Sequence, residues 1–211
     1  MRKSAFIALC APILTLTGVV QAQGQTSVGP FNYPASALEV PATLAQPPAL
    51  NVHVADTVLR VGSDDLTQVA PKLGARVFEE GTGDYARSHA CLVGSPVNNR
   101  TPVMWLIATG SPTLSEVQLE WRKKAPKACA QLPDGATLRL GKAELGIDEK
   151  RALEQLGKPS HRDGFGWNFW LSQQFTKNAR GLEGLELDWL GVHFDDAGRV
   201  DKLFTSFVRN P

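Results

Sequence analysis

Cysteine is scarce in this 211-residue chain, with three in all, and methionine and tyrosine occur twice each. The four histidines, His53, His89, His161 and His193, are scattered, without the His-x-x-x-His or His-Glu-x-x-His spacing that a helical zinc site needs. There is no glycine-rich phosphate loop, and Ser95 after Gly94 lacks the flanking pattern of a nucleophile elbow. Asp195 and Asp196 read as turn residues of a hairpin rather than calcium ligands. With these signatures missing, no catalytic residue, no metal and no cofactor is expected. Charge of one sign is lacking too: 22 Lys+Arg stand against 21 Asp+Glu. That balance leaves no basic footprint for nucleic acid, and no polybasic run favours an anionic membrane.

What is present begins with a leader. Arg2 and Lys3 give a positive start, Ala5 to Val20 carries no charge, and Val20-Gln21-Ala22 offers a cleavage site after Ala22. The apolar stretch is short of the roughly 20 residues that span a bilayer, and Pro12 interrupts it. Cys10 follows the large Leu9, which does not suit lipid attachment, so it is expected to leave with the leader. Residues 1–22 are therefore read as a signal peptide, and the working protein as periplasmic or secreted with no direct membrane anchor.

Two cysteines remain after cleavage, Cys91 and Cys129. In an oxidising compartment such a pair predicts a disulfide, stabilising the fold by about 3–4 kcal/mol through loop closure. The competing reading makes Cys91 a nucleophile assisted by His89, which would share its face on a strand.

Residues 23–50 hold Pro30, Pro34, Pro41, Pro47 and Pro48 among small and polar residues. They read as a Pro-rich tether that either wraps the domain through Phe31 and Tyr33 or stays disordered. From residue 51 the chain repeats itself in pattern. Leu59-Arg60-Val61-Gly62 is echoed by Leu138-Arg139-Leu140-Gly141, and a short helix follows each. The first helix is expected from Ser63 to Gly74, shortened or bent by Pro71. The second starts at the cap Asp148 and ends at Gly157 and Pro159. Two α+β repeats, 51–130 and 131–211, explain the echo economically; chance similarity is the alternative, since pattern matches better than identity.

Strands are expected at 88–93, 103–109 and 116–122 in the first repeat. In the second they fall at 165–171, 187–194 and 199–207, with a loop over Thr176 to Gly184 and a turn at Asp195-Asp196-Ala197-Gly198. The fold class that follows is α+β: one or two units of a helix on an antiparallel sheet.

The run Gly146-Ile147-Asp148-Glu149-Lys150-Arg151-Ala152-Leu153-Glu154-Gln155-Leu156-Gly157-Lys158-Pro159 is followed by the aromatic Phe165-Gly166-Trp167-Asn168-Phe169-Trp170 and the hairpin Val192 to Val200. Over residues 146–210 this order resembles the SmpA/OmlA, or BamE-like, family of small outer-membrane lipoproteins. The resemblance implies a non-enzymatic role in assembling the outer-membrane barrel machinery. The chain departs from that family in lacking the lipid-attachment cysteine, which puts direct membership of the machinery in doubt. Two tandem units also resemble, in architecture alone, the secreted β-lactamase-inhibitor proteins.

Five tryptophans lie in or near the expected strands. On the alternation, Trp167 faces the core, whereas Trp170 and Trp189 face away from the helix. With Asn168 and His193 they make the candidate partner-binding set, since aromatic anchors dominate binding surfaces. The rival is that two copies pack these faces together. The expected function is a binding module for a protein partner in the cell envelope. The alternatives are a secreted inhibitor of a cell-wall hydrolase or β-lactamase, and a hydrolase using His193 beside Asp188 or Asp195.

Overall fold

A computed structural model describes residues 29–83, 86–177, 181 and 183–210. The leader, its cleavage site and Cys10 lie outside the described residues. The chain enters through a 3-10 turn, Ala35–Glu39. It continues into β1 (Asn51–Val54), β2 (Thr57–Arg60), α1 (Leu66–Lys72), β3 (Phe78–Glu80), β4 (Arg87–Val93), β5 (Thr101–Thr109) and β6 (Leu114–Arg122). A second series follows: β7 (Ala130–Gln131), β8 (Leu138–Leu140), α2 (Glu149–Leu156), β9 (His161–Arg162), β10 (Trp167–Lys177), β11 (Glu183–Phe194) and β12 (Val200–Asn210).

The expected α+β class is corrected by this element count. Strand makes up 48% of the structure and helix 12%, so the protein is mostly β. One nine-stranded sheet runs through it in the order β3-β4-β5-β6-β12-β11-β10-β9, with β7 added beside β4. All its pairings are antiparallel except that of β7 with β4. The halves of the chain meet at β6 and β12, where Leu119 pairs with Leu203 and Val117 with Thr205. There is thus no pair of separate helix-plus-small-sheet units. Helices stand out in the sequence beyond their share of the structure, because caps are sharp local signals whereas strands covered on both faces read as apolar runs of uncertain length. The loop expected over Thr176 to Gly184 is likewise shortened, for β10 runs to Lys177 and β11 begins at Glu183.

Both helices start where a carboxylate can cap them. Asp65 accepts from the Thr67 amide and Asp148 from the Arg151 amide, satisfying donors the first turn leaves unpaired. Gly157 ends α2 at φ 78°, a region that favours glycine. At seven and eight residues neither helix would persist alone; each is held by packing on the sheet.

A second, three-stranded sheet has the order β2-β1-β8, so the echoed segments Leu59 to Gly62 and Leu138 to Gly141 flank one strand. Its inner side, Val52, Val54, Leu59, Leu138 and Leu140, joins both helices over one face of the large sheet. That core includes Leu106, Leu119, Trp170, Leu190 and Leu203. On the other face, Cys91 and Cys129 are joined by a disulfide that ties β4 to the segment leading into β7.

Candidate functional site

The large sheet's second face, away from the helices, carries the aromatic concentration. Strand pairing puts Trp167, Phe169 and Leu171 of β10 opposite His193, Gly191 and Trp189 of β11. Phe204 of β12 pairs with Gly191 and joins the same face. Trp167 stacks on Phe169 at 5.9 Å between ring centroids, and Phe204 lies 5.8 Å from Trp167.

The chain's own entry segment lies across this layer. Tyr33 stacks on Phe204 at 4.4 Å, Phe31 sits 6.0 Å from Trp167, and Ala37 and Val40 are buried in the same cluster. Residues 23–28 of the Pro-rich segment lie outside the described residues; from residue 29 on, the segment packs on the sheet through Phe31 and Tyr33. A row on β6 holds its start: Gln118 Nε2 donates to the Phe31 carbonyl at 3.0 Å, and Arg122 Nη2 to the Gly29 carbonyl at 2.6 Å. Ser36 Oγ donates to Asp163 Oδ2, and the Thr43 and Leu44 amides both donate to the Leu171 carbonyl. Five prolines leave such a segment few amides for a strand ladder, so it is fixed by scattered polar bonds and side-chain burial.

The row on β6 is electrostatically unusual. Glu116 and Gln118 are buried, with Gln118 Nε2 donating to Glu116 Oε1 at 2.5 Å. Burial pushes the Glu116 carboxyl up, against the Gln118 hydrogen bond and the Arg87 charge that pull it down. Tyr33 above it is raised by its own burial and then by Glu116.

The expected site residues divide between the two faces. Trp189 and His193 are on the aromatic face, Trp189 partly buried at the edge of the wrapped layer. Trp170 and Asn168 are on the opposite side. Trp170 is wholly buried among the residues that pack under the helices, and its indole Nε1 donates to the Gly157 carbonyl at 3.3 Å. Asn168 is 5% exposed. The expectation that Trp170 faces away from the helix is thus reversed, and Trp167 takes the outward face instead.

His193 has acceptors at both ring nitrogens: Asp201 Oδ1 at Nδ1, and the Phe165 carbonyl at Nε2, 3.0 Å away. Neither Asp188 nor Asp195 is its partner. Asp188 lies on the helix side beside Ser172, and Asp195 accepts from the amides of Ala197 and Arg199 in the hairpin turn. Among the described residues, no three His, Cys, Asp or Glu side chains come together as a metal-binding group. No protein-family model, no curated protein and no solved structure matches this chain.

Beyond the wrapped layer, the same face continues past Leu171 and Trp189, outside the expected bounds of β10 and β11. Phe175 pairs with Leu185, and Leu187 with Val208. Phe175 is 77% exposed and Val208 47%. The signal was Phe175, in phase with Trp167, Phe169 and Leu171 across the polar Gln173, and Leu185, in phase with Leu187. Ending the strand at Leu171 hid it.

Proposed function

We propose that this protein is a non-enzymatic binding module of the cell envelope that docks a protein partner on the aromatic face of its large sheet. The observation that carries the reading is that Phe175 and Val208 stand exposed at the end of this face, beside the half-buried Leu185 and Leu187. Large exposed side chains gathered on one sheet face, rather than scattered singly, favour association. An extracytoplasmic setting is supported by the Cys91–Cys129 disulfide, which persists in oxidising compartments. The BamE-like resemblance of residues 146–210 supports an accessory role in outer-membrane assembly. Photo-crosslinkers placed at Phe175 and Leu187 should then capture one and the same envelope protein. Phe175→Asp with Val208→Asp should abolish capture through the Leu187 crosslinker while leaving the unfolding midpoint unchanged. Undiminished capture by a folded double variant would remove this face from consideration.

A second reading, a secreted inhibitor of a cell-wall hydrolase or β-lactamase, would use the same exposed Phe175 and Val208, laid against an enzyme instead of an assembly partner. Inhibition of β-lactamase or of peptidoglycan hydrolysis by the purified protein would select it.

A further inference from the structure

We infer that a second site, remote from the aromatic face, binds a phosphate-ester anion in a cleft on the outer side of the three-stranded sheet. The cavity is about 960 Å³ and is bounded by the segment 44–51, the outer side of β1, β2 and β8, and the end of α2. Its cations are Arg60, Arg139 and Lys142, with His53 between them in the sheet. The lining contains no Asp or Glu.

The two arginines are those of the echoed Leu-Arg-x-Gly segments. Pairing brings them together: Arg60 is opposite Asn51 and Arg139 is opposite His53, on the two sides of β1. Because opposite residues of antiparallel strands share a face, both guanidinium stems rise on the side away from the core. No described carboxylate or aromatic ring engages Arg60, Arg139 or Lys142, whereas Arg122, Arg162 and Arg209 are all paired with glutamates. Asp64, close in sequence, directs its carboxylate to the Arg60 backbone amide. Inside the cleft, Arg139 Nε and Gln155 Oε1 are buried without a protein partner. A buried guanidinium donor left unpaired is costly, and an oxyanion at this position would remove that cost.

Three unpaired cations suit a doubly charged group better than a single carboxylate, and the fork of arginine matches phosphate oxygens. The apolar walls Leu44, Pro47, Pro48 and Leu156 would take the organic part of the ester. Phosphate esters of this kind occur as soluble metabolites and as lipid headgroups.

Titration calorimetry with glycerol phosphate tests the soluble source. Co-flotation with vesicles containing phosphatidic acid, a phosphate monoester like glycerol phosphate, against phosphatidylcholine vesicles, tests the lipid source. Saturable binding in either arm is expected, and Arg60→Ala with Lys142→Ala should weaken it by about tenfold or more. Both of these residues are exposed, so the variant is expected to fold. Lys123→Ala with Lys124→Ala, exposed lysines outside the cleft, should leave binding unchanged. Failure of both probes to bind, binding indifferent to the cleft variant, or equal loss in the Lys123/Lys124 control would overturn the assignment.

Discussion

Phe204 lies over Gly191 so closely that a Cβ built on Gly191 would stand 2.1 Å from the Phe204 ring. The two residues pair across β11 and β12, and Tyr33 of the entry segment stacks on the same ring. A missing side chain on the sheet therefore sets the depth of the ring, and the ring sets where the wrapped segment rests. Gly191→Ala should destabilise the protein by about 1–3 kcal/mol through overpacking. It should also speed amide exchange at Thr43 and Leu44, whose bonds to Leu171 hold the end of that segment. Urea midpoints and hydrogen exchange would check both effects.

Truncating each of two tryptophans should have unequal results. Trp170 is wholly enclosed, so Trp170→Ala should cost about 3–5 kcal/mol. Trp189 sits at the edge of its cluster, and Trp189→Ala should cost clearly less. Equal losses in chemical denaturation would contradict the assignment of the two rings to opposite faces.

Stability should fall as pH rises through the weakly acidic range. Asp188 is 2% exposed; its Oδ2 accepts from Ser172 at 3.3 Å, and its Oδ1 has no partner. Burial raises its pKa from 3.8 to about 6, against the Ser172 hydrogen bond and with a smaller upward push from Glu186. The folded state thus holds the proton more tightly than the unfolded chain. The resulting stabilisation is complete below the unfolded pKa of 3.8 and is lost as pH rises through about 6. Glu116, also raised by burial, acts in the same direction. Asp188→Asn should stabilise the protein at neutral pH by at most about 3 kcal/mol and flatten the slope between the two pKa values. Urea midpoints for both proteins across that range would reveal it.

Reduction should weaken the β4 side of the sheet. The bridge between Cys91 and Cys129 closes a separation of 38 residues, which corresponds to about 3–4 kcal/mol in the loop-entropy account. Intact mass should show the oxidised protein two hydrogens lighter than the reduced one, and reductant should lower the melting temperature.

What could be read from the chain beforehand was its local chemistry. Asp148, Gly157 and Pro159 delimited α2, Asp195 to Gly198 marked the last hairpin turn, and the two cysteines announced their bridge. The longer-range arrangement was harder. The strand Asn51–Val54 has four residues, and its pairing with Leu138–Leu140 spans a large sequence separation that no local pattern records. The outward face of β10 is not legible from alternation, because its helix side mixes polar residues with Trp170. Asn168 and Ser172 share the side of Trp170 and made it look solvent-facing, yet that side is buried, with Ser172 bonded to Asp188. The cationic cleft was invisible for a related reason: Arg60 and Arg139 are 79 positions apart, and only the shared neighbour β1 brings them together.

β12 follows all its sheet neighbours in the chain yet lies in the middle of the sheet, between β6 and β11. During biosynthesis the earlier strands must therefore wait, with the rim of β6 unzipped, until this last one arrives. Contacts so distant in sequence form slowly. Closure of the large sheet is therefore a late event in folding, because its middle is completed only by the strand that comes after all the others.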